Sequence, residues 1–291
     1  MPLHERHGTN VPDRSVLIVA MEGWIDAGYA AATAMAALLA STTTEKVATF
    51  LADELVDHRA RRPRLRIEDG VRQEVAFAEP ELLVGRDRLG AGMLLLVGPE
   101  PDYRWRAFAS EVAALATQLG VRLVAGLGAF PAGVPHTRPV RLASTASNAQ
   151  LARSVGFLPG AIDVPAGIGE VVGEACTRAG IPSVGLWARV PHYVSAMPFP
   201  AAAVALLDGL GALTGLVVDT EDLRRSAEDA RRRVDGLIAE SSEHQEMVRQ
   251  LELQADNGGG DVGEAGGLGE TRLPSGDEIA AELERYLRGE T

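Results

Sequence analysis

Two histidines stand beside prolines, in Val134-Pro-His-Thr-Arg-Pro139 and Val190-Pro-His-Tyr193. A loop histidine can serve as a general base, donate to an anion, or pin its loop by bonding a backbone carbonyl. Arg138 lies two residues beyond His136, and Tyr193 follows His192 directly. Other residues of this kind are Trp24 and Asp26 in Glu22-Gly-Trp-Ile-Asp-Ala-Gly28, and Glu100, Arg104 and Arg106 in Gly98-Pro-Glu-Pro-Asp-Tyr-Arg-Trp-Arg106. Arginines at the start of a helix oppose its dipole, which attracts anions there. Helix amides and arginines around one pocket would suit a phosphate or carboxylate, with Arg104, Arg106, Arg138 and His136 as its holders. The competing reading is that Glu100 and Asp102 already neutralise Arg104 and Arg106.

Several chemistries find no motif. The chain has neither Gly-x-Ser-x-Gly nor His-Glu-x-x-His, and its single cysteine, Cys176, cannot form an internal disulfide or a cysteine metal cage. Cys176 falls mid-helix among alanine and valine, which points to core packing. Lys46 is the only lysine beside 27 arginines, and no glycine-rich loop precedes it, so a P-loop is not available. Gly126-x-Gly128 and Gly167-x-Gly169-x-x-x-Gly173 match a dinucleotide loop poorly, and the second has no strand before it. No catalytic residue, metal or cofactor is expected.

The elements that must position these residues are legible as apolar runs. Ser15 to Ala20, Met93 to Val97, Leu123 to Gly126 and Pro182 to Val190 read as buried strands, each delivering polar residues just beyond its end. Between them lie helical segments: about 27–40 behind the cap Asp26, 103–119 behind the cap Asp102, 147–154, 167–179 and 201–213. Alternation of this kind predicts an α/β fold with a mainly parallel sheet flanked by helices. Ligands settle at the carboxyl ends of such strands. Trp24, Asp26, Glu100, Arg104, Arg106, His136, Arg138, His192 and Tyr193 would then share one edge. Residues 46–88 differ. Their alternating runs flank Asp69-Gly70, a hairpin signal. Within His58 to Arg66, the stretch Arg59 to Arg66 carries five arginines in eight residues and reads either as a solvated edge or as an anion or acidic-partner surface.

Charge divides the chain. Of the net −12, the segment 216–291 carries −10, from 19 acidic and nine basic residues, so an acidic appendage joins a nearly neutral body. That balance argues against nucleic-acid binding. A domain over 1–215 and a helical extension over 216–291 are expected. In the extension, a long helix spans about 219–255 on a narrow heptad seam that Ser241 and His244 weaken at its middle, where a bend is expected. A glycine-rich linker runs over 256–273, and a final helix covers 276–288. With 46% hydrophobic residues the core is ample. No apolar tract is suited to spanning a bilayer, and the first residues lack the apolar core of a signal peptide, so a soluble cytoplasmic protein without a membrane partner is expected.

The rim segments, with Leu186-Trp-Ala-Arg-Val-Pro-His-Tyr193 and Leu273-Pro-Ser-Gly-Asp277, resemble the proteasome-assembly-chaperone-2 family in its bacterial branch. The resemblance covers nearly the whole chain, with the motifs in the family's order. It implies a fold similar to the phosphorylase/hydrolase-like domain of nucleoside phosphorylases, with appended C-terminal helices, and self-association or pairing of related subunits. Eukaryotic and archaeal members look like non-catalytic chaperones of proteasome α-subunits, some docking through a tail with a penultimate tyrosine. Tyr286-Leu-Arg-Gly-Glu-Thr291 does not match that tail. Two expectations follow: a non-catalytic homo-oligomer binding itself and other proteins, or an enzyme or small-molecule binder on a phosphorylase-like scaffold holding an anion.

Overall fold

The structure, a computed structural model, describes residues 2–257. The expected linker from residue 258 onward and the final helix over 276–288 lie outside the described residues. In chain order the strands are β1 (His4–Arg6), β2 (Val16–Val19), β3 (Glu45–Phe50), β4 (Arg64–Glu68), β5 (Val71–Ala76), β6 (Glu81–Arg86), β7 (Gly92–Val97), β8 (Leu123–Ala132), β9 (Leu142–Ala146) and β10 (Ser183–Pro191). The helices are α1 (Ala30–Ala40), α2 (Ala52–Leu55), α3 (Trp105–Gln118), α4 (Ala149–Val155), α5 (Ile168–Arg178), α6 (Pro200–Thr214), α7 (Glu221–Ala239) and α8 (Ser242–Asp256).

Eight strands form one sheet in the order β1-β3-β6-β7-β2-β8-β10-β9. The four expected strands are its centre, β7-β2-β8-β10, and all run parallel. Val16 pairs with Met93 on one side and Leu123 on the other, and Ser183 pairs with Val124. Helices cover both faces, which explains why Val16–Val19 is apolar without alternation and buried throughout. Val16 and Ile18 face a layer that includes α1 and α6, whereas Leu17 and Val19 face α3 and α5. On the second face Phe50 and Phe108 are fully buried, with ring centroids 4.7 Å apart. Burying one such ring contributes roughly 1.5–3 kcal/mol. Cys176 is fully buried there too, and burial pushes its thiol up to about 11. It packs the core.

The flanks are antiparallel. β6 joins β7 through the short turn Asp87–Ala91, in which Asp87 Oδ1 accepts from the Leu89 and Ala91 amides at 2.9 and 2.7 Å. So short a link cannot make a parallel crossover. β4 and β5 form the expected hairpin, but outside the main sheet. Asp69 and Gly70 both have positive φ, 50° and 80°, as a type I′ turn requires.

Three kinds of departure from expectation occur. The helix after β7 starts at Trp105, behind Arg104 in the left-handed region at φ 60°; Asp102 does not cap it. The Asp102 carboxylate instead accepts from the Asp57 amide and the Arg61 guanidinium, at 2.7 and 2.8 Å, and so ties two loops together. The helix expected over 219–255 is two. Ser241 leaves the helical region at φ −136°, and its hydroxyl accepts from the His244 amide, starting α8. A serine's short side chain serves a helix start better than a helix middle. Finally, β1, α2 and β6 were not expected at all. No helix among the described residues is long and apolar enough to cross a membrane.

Candidate functional site

Toward the carboxyl side of the parallel strands, two places gather polar side chains. The first is a cavity of about 350 Å³ at the end of β2, over the middle of β8 and β10, and at the start of α5. Glycines shape it. Side chains alternate along a strand, and Val124 belongs to the α3/α5 face, so Gly126 and Gly128 present bare backbone on that face. Gly185 of β10 does the same beside them. The indole of Trp187 fills the space over Gly128, where an added Cβ would lie 2.4 Å from its Cζ3. Trp24 lies against Gly167 in the same way, with an added Cβ 2.8 Å from its Cδ1.

Polar groups converge on this cavity. Trp187 Nε1 donates to Thr145 Oγ1 at 3.3 Å, and the Thr145 hydroxyl donates to Glu170 Oε1 at 2.7 Å. Glu100, only 8% exposed, accepts from the Ile168 amide at 3.3 Å and so sits at the N-terminus of α5. The helix dipole favours a carboxylate there. Asp26 lines the cavity but spends both oxygens on α1, accepting from the Ala31 and Ala32 amides at 2.8 and 2.9 Å. That is the capping role its position suggested. A second hollow of about 240 Å³ adjoins along α5 and shares Gly126, Gly169, Glu170 and Gly185.

The second place is where α7 and α8 meet the loop after β8. His136 is 5% exposed, and its ring lies 2.7 Å from the Tyr193 hydroxyl through Nδ1 and 3.0 Å from Asp235 Oδ1 through Nε2. The Tyr193 oxygen also accepts from the His136 amide at 2.8 Å. One assignment satisfies all three contacts: Nε2–H donates to Asp235, and the Tyr193 hydroxyl donates to Nδ1. Burial, with the Glu252 and Asp235 carboxylates nearby, pushes the Tyr193 hydroxyl up to about 12. Arg138 grips α8 through Asp256, with Nε to Oδ1 at 2.9 Å and Nη2 to Oδ2 at 2.7 Å, and reaches Glu252 at 3.1 Å. His136 thus holds α7, and Arg138 holds α8.

The nine expected residues therefore divide. Trp24, Asp26 and Glu100 line the cavity. His136, Arg138 and Tyr193 form the helix clamp. His192 is exposed beside the clamp, its ring edge-on to Tyr193 with centroids 5.3 Å apart. Arg104 pairs with Glu54 at 2.6 Å, and Arg106 is exposed on the first turn of α3. Arg104, Arg106, Arg138 and His136 do not meet around one anion pocket. Sequence reasoning missed Glu170, Trp187 and the cavity-forming role of the glycines. Gly126-x-Gly128 was visible, but two glycines on one strand face mark an open sheet surface only when the facing helix is known.

The clamp sets a pH expectation. The hydrogen bond from Arg138 holds the Asp256 carboxyl below its ordinary 3.8. A depressed carboxyl stabilises fully above its unfolded value and loses that contribution as pH falls through the folded value. Protection against amide exchange, corrected for the intrinsic rate at each pH, should therefore fall in α8 below about pH 4, before that of α5, with the Asp256→Asn variant less protected already at neutral pH. An equal loss of protection in both helices would contradict this.

Comparison with known proteins adds the following. The model of the PAC2 family matches residues 20–238. A protein of unknown function from Corynebacterium glutamicum is 32% identical, with a TM-score of 0.81, covering 88% of this chain and 97% of its own. A Mycobacterium tuberculosis proteasome-assembly chaperone homologue is 38% identical, with a TM-score of 0.74, covering 80% and 99%. A PAC2 family protein from Streptomyces avermitilis is also 38% identical over 80% and 99%, with a TM-score of 0.71. No curated protein matches the chain.

Proposed function

The chain belongs to the PAC2 family, and from that premise we propose that it is a non-catalytic, assembly-chaperone-like protein that binds partner proteins and copies of itself. The M. tuberculosis relative, a proteasome-assembly chaperone homologue, supports proteasome components as the partner class. We assign 1–215 to an α/β domain and 216–291 to a helical extension, and place the protein in the cytoplasm.

One observation carries self-association. The β4–β5 hairpin stands apart from the main sheet, and Leu65, Ile67, Val71, Val75 and the following Phe77 are all exposed, from 44 to 61%. Leu65 and Val75 are cross-strand partners, and beyond a register shift Ile67 pairs with Arg72 and Val71 with Glu68. A lone two-stranded ribbon is marginally stable in water, so one that exposes this many large apolar side chains needs a cover. A second copy offers it at a closed, self-complementary contact. Light scattering after gel filtration should show an oligomer for the wild type. Ile67→Asp should shift it to the monomer with its thermal transition within a few degrees, since the side chain is solvent-facing in one copy. A monomeric wild type at all concentrations sinks the proposal. Capture by purified proteasome subunits tests the partner class separately.

The cavity favours a second function for the same chain, small-molecule or side-chain binding. Its lining is carboxylate and indole rather than arginine, which turns the expected anion ligand into a different one.

A further inference from the structure

The cavity carries charge of one sign. Glu22, Asp26, Glu100 and Glu170 line it, and no lysine, arginine or histidine does among the described residues. Two of these carboxylates are engaged, Asp26 by the α1 amides and Glu170 by the Thr145 hydroxyl. Glu100 differs. The residue is 8% exposed, its Oε2 accepts one 3.3 Å bond from the Ile168 amide, and its Oε1, which no hydrogen bond among the described residues reaches, keeps access to the cavity's solvent. A carboxylate oxygen facing a largely apolar cavity attracts a donor or cation more strongly than one in open water. The Arg61 guanidinium stands beside Gly23 without lining the cavity, and its Nη1 donates to the Glu100 carbonyl at 2.9 Å and to Asp102 at 2.8 Å. Its Nη2 and Glu100 Oε1 lie 2.8 and 3.1 Å from where a Gly23 Cβ would be, so it shares its charge between Asp102 and the Glu100 side.

The surroundings restrict the cation. No three of His, Cys, Asp and Glu stand close enough to hold a metal ion among the described residues. Trp24, Trp187 and Tyr29 line the same space, and the glycine-bared strands add backbone rather than side chains. Aromatic rings attract an organic cation and accept its apolar stem. At about 350 Å³ the cavity is at the small end of ligand sites. The helix N-terminus that would suit an anion is already filled by Glu100.

We propose that this cavity binds a primary ammonium group on an aliphatic stem, with Glu100 Oε1 as counter-ion and the two indoles beside the stem. The ammonium can come from a free diamine or from a lysine side chain of a partner protein. The proposal does not rest on self-association, which is read by mass, whereas this one is read by ligand binding.

The test is calorimetric titration of the full chain with cadaverine, with N-acetyl-lysine methylamide, and with inorganic phosphate and pentanol as controls. Both amines should bind saturably, whereas phosphate and the neutral stem should not. Glu100→Gln retains an acceptor for the Ile168 amide and should weaken the amines about ten- to a hundredfold, as loss of one charged hydrogen bond does. Gly126→Val is the independent variant. An added Cβ there has its nearest atom 3.7 Å away, the two methyl groups beyond it would occupy the cavity, and an unchanged circular dichroism spectrum checks that the variant folds. Tighter binding of the lysine derivative assigns the site to a protein side chain, and tighter binding of cadaverine assigns it to a free diamine. No saturable amine binding up to about 10 mM, binding of phosphate instead, or amine affinity unchanged in both variants overturns the proposal.

Discussion

Gly128→Ala is expected to destabilise the protein by about 1–3 kcal/mol, while Gly126→Ala, two residues away on the same strand face, changes stability by less than about 0.5 kcal/mol. The added methyl differs only in what it meets. At 128 it would lie 2.4 Å from Trp187 Cζ3 and 2.5 Å from Cε3, so the ring must swing off the strand. Trp187 would then lose its 3.3 Å bond to Thr145, which itself holds Glu170. At 126 the nearest atom is Gly185 Cα at 3.7 Å, an ordinary contact. Alanine is no worse than glycine in a strand on backbone entropy, so this substitution has no opposing loss. Urea denaturation of both variants, with near-ultraviolet circular dichroism reporting the tryptophan environment, decides the matter. Equal stabilities would mean that Trp187 does not rest on Gly128, and the cavity's shape would need another cause.

His136→Ala should cost about 2–3 kcal/mol and free α7 from the sheet edge. The ring is 5% exposed and bonded at both nitrogens, so its removal opens a void and leaves the Tyr193 hydroxyl with the His136 amide alone. Asp235 is half exposed and can turn to water, which keeps the figure at the lower end for a buried polar truncation. Hydrogen exchange should place the change in α7 and α8 and spare β2, β7 and β8. Tyr193→Phe should behave similarly but more mildly, at about 1 kcal/mol, because only the hydroxyl bonds are lost. Uniform exchange across the whole chain in His136→Ala would show that this histidine supports the core rather than clamping the extension.

These two sites show where sequence reasoning succeeds. The central strands announced themselves because a strand covered on both faces must be apolar throughout, as Val16–Val19 and Gly92–Val97 are. β6 escaped notice because its buried stretch, Leu82 to Gly85, is short, lacks alternation and directly precedes a tight turn. The helix boundary at Ser241 was signalled by two polar residues, Ser241 and His244, on an otherwise continuous seam, which pointed to a bend rather than to a new helix start. The reason is that α8 needs just one side-chain acceptor to begin anew.

The site was legible by address rather than by chemistry. His136, Arg138, Glu100 and Trp24 all lie at the edge expected of them, since the parallel direction of β7, β2, β8 and β10 follows from their helical crossovers. Their partners could not be read. Asp235 is 99 residues from His136 and Asp256 is 118 from Arg138, and no local pattern encodes contacts at that separation. The cavity is the clearest case. The sequence by itself determined the apolar strands, the helices between them, the acidic extension and the family motifs, because those depend on local periodicity and composition. Only the tertiary structure decided that Arg104 and Arg138 are spent in separate ion pairs while Arg106 stays exposed, and that bare glycine backbone faces two indoles and a buried carboxylate. Register across strands and the seating of one helix N-terminus are long-range packing outcomes, and they set the sign of the site.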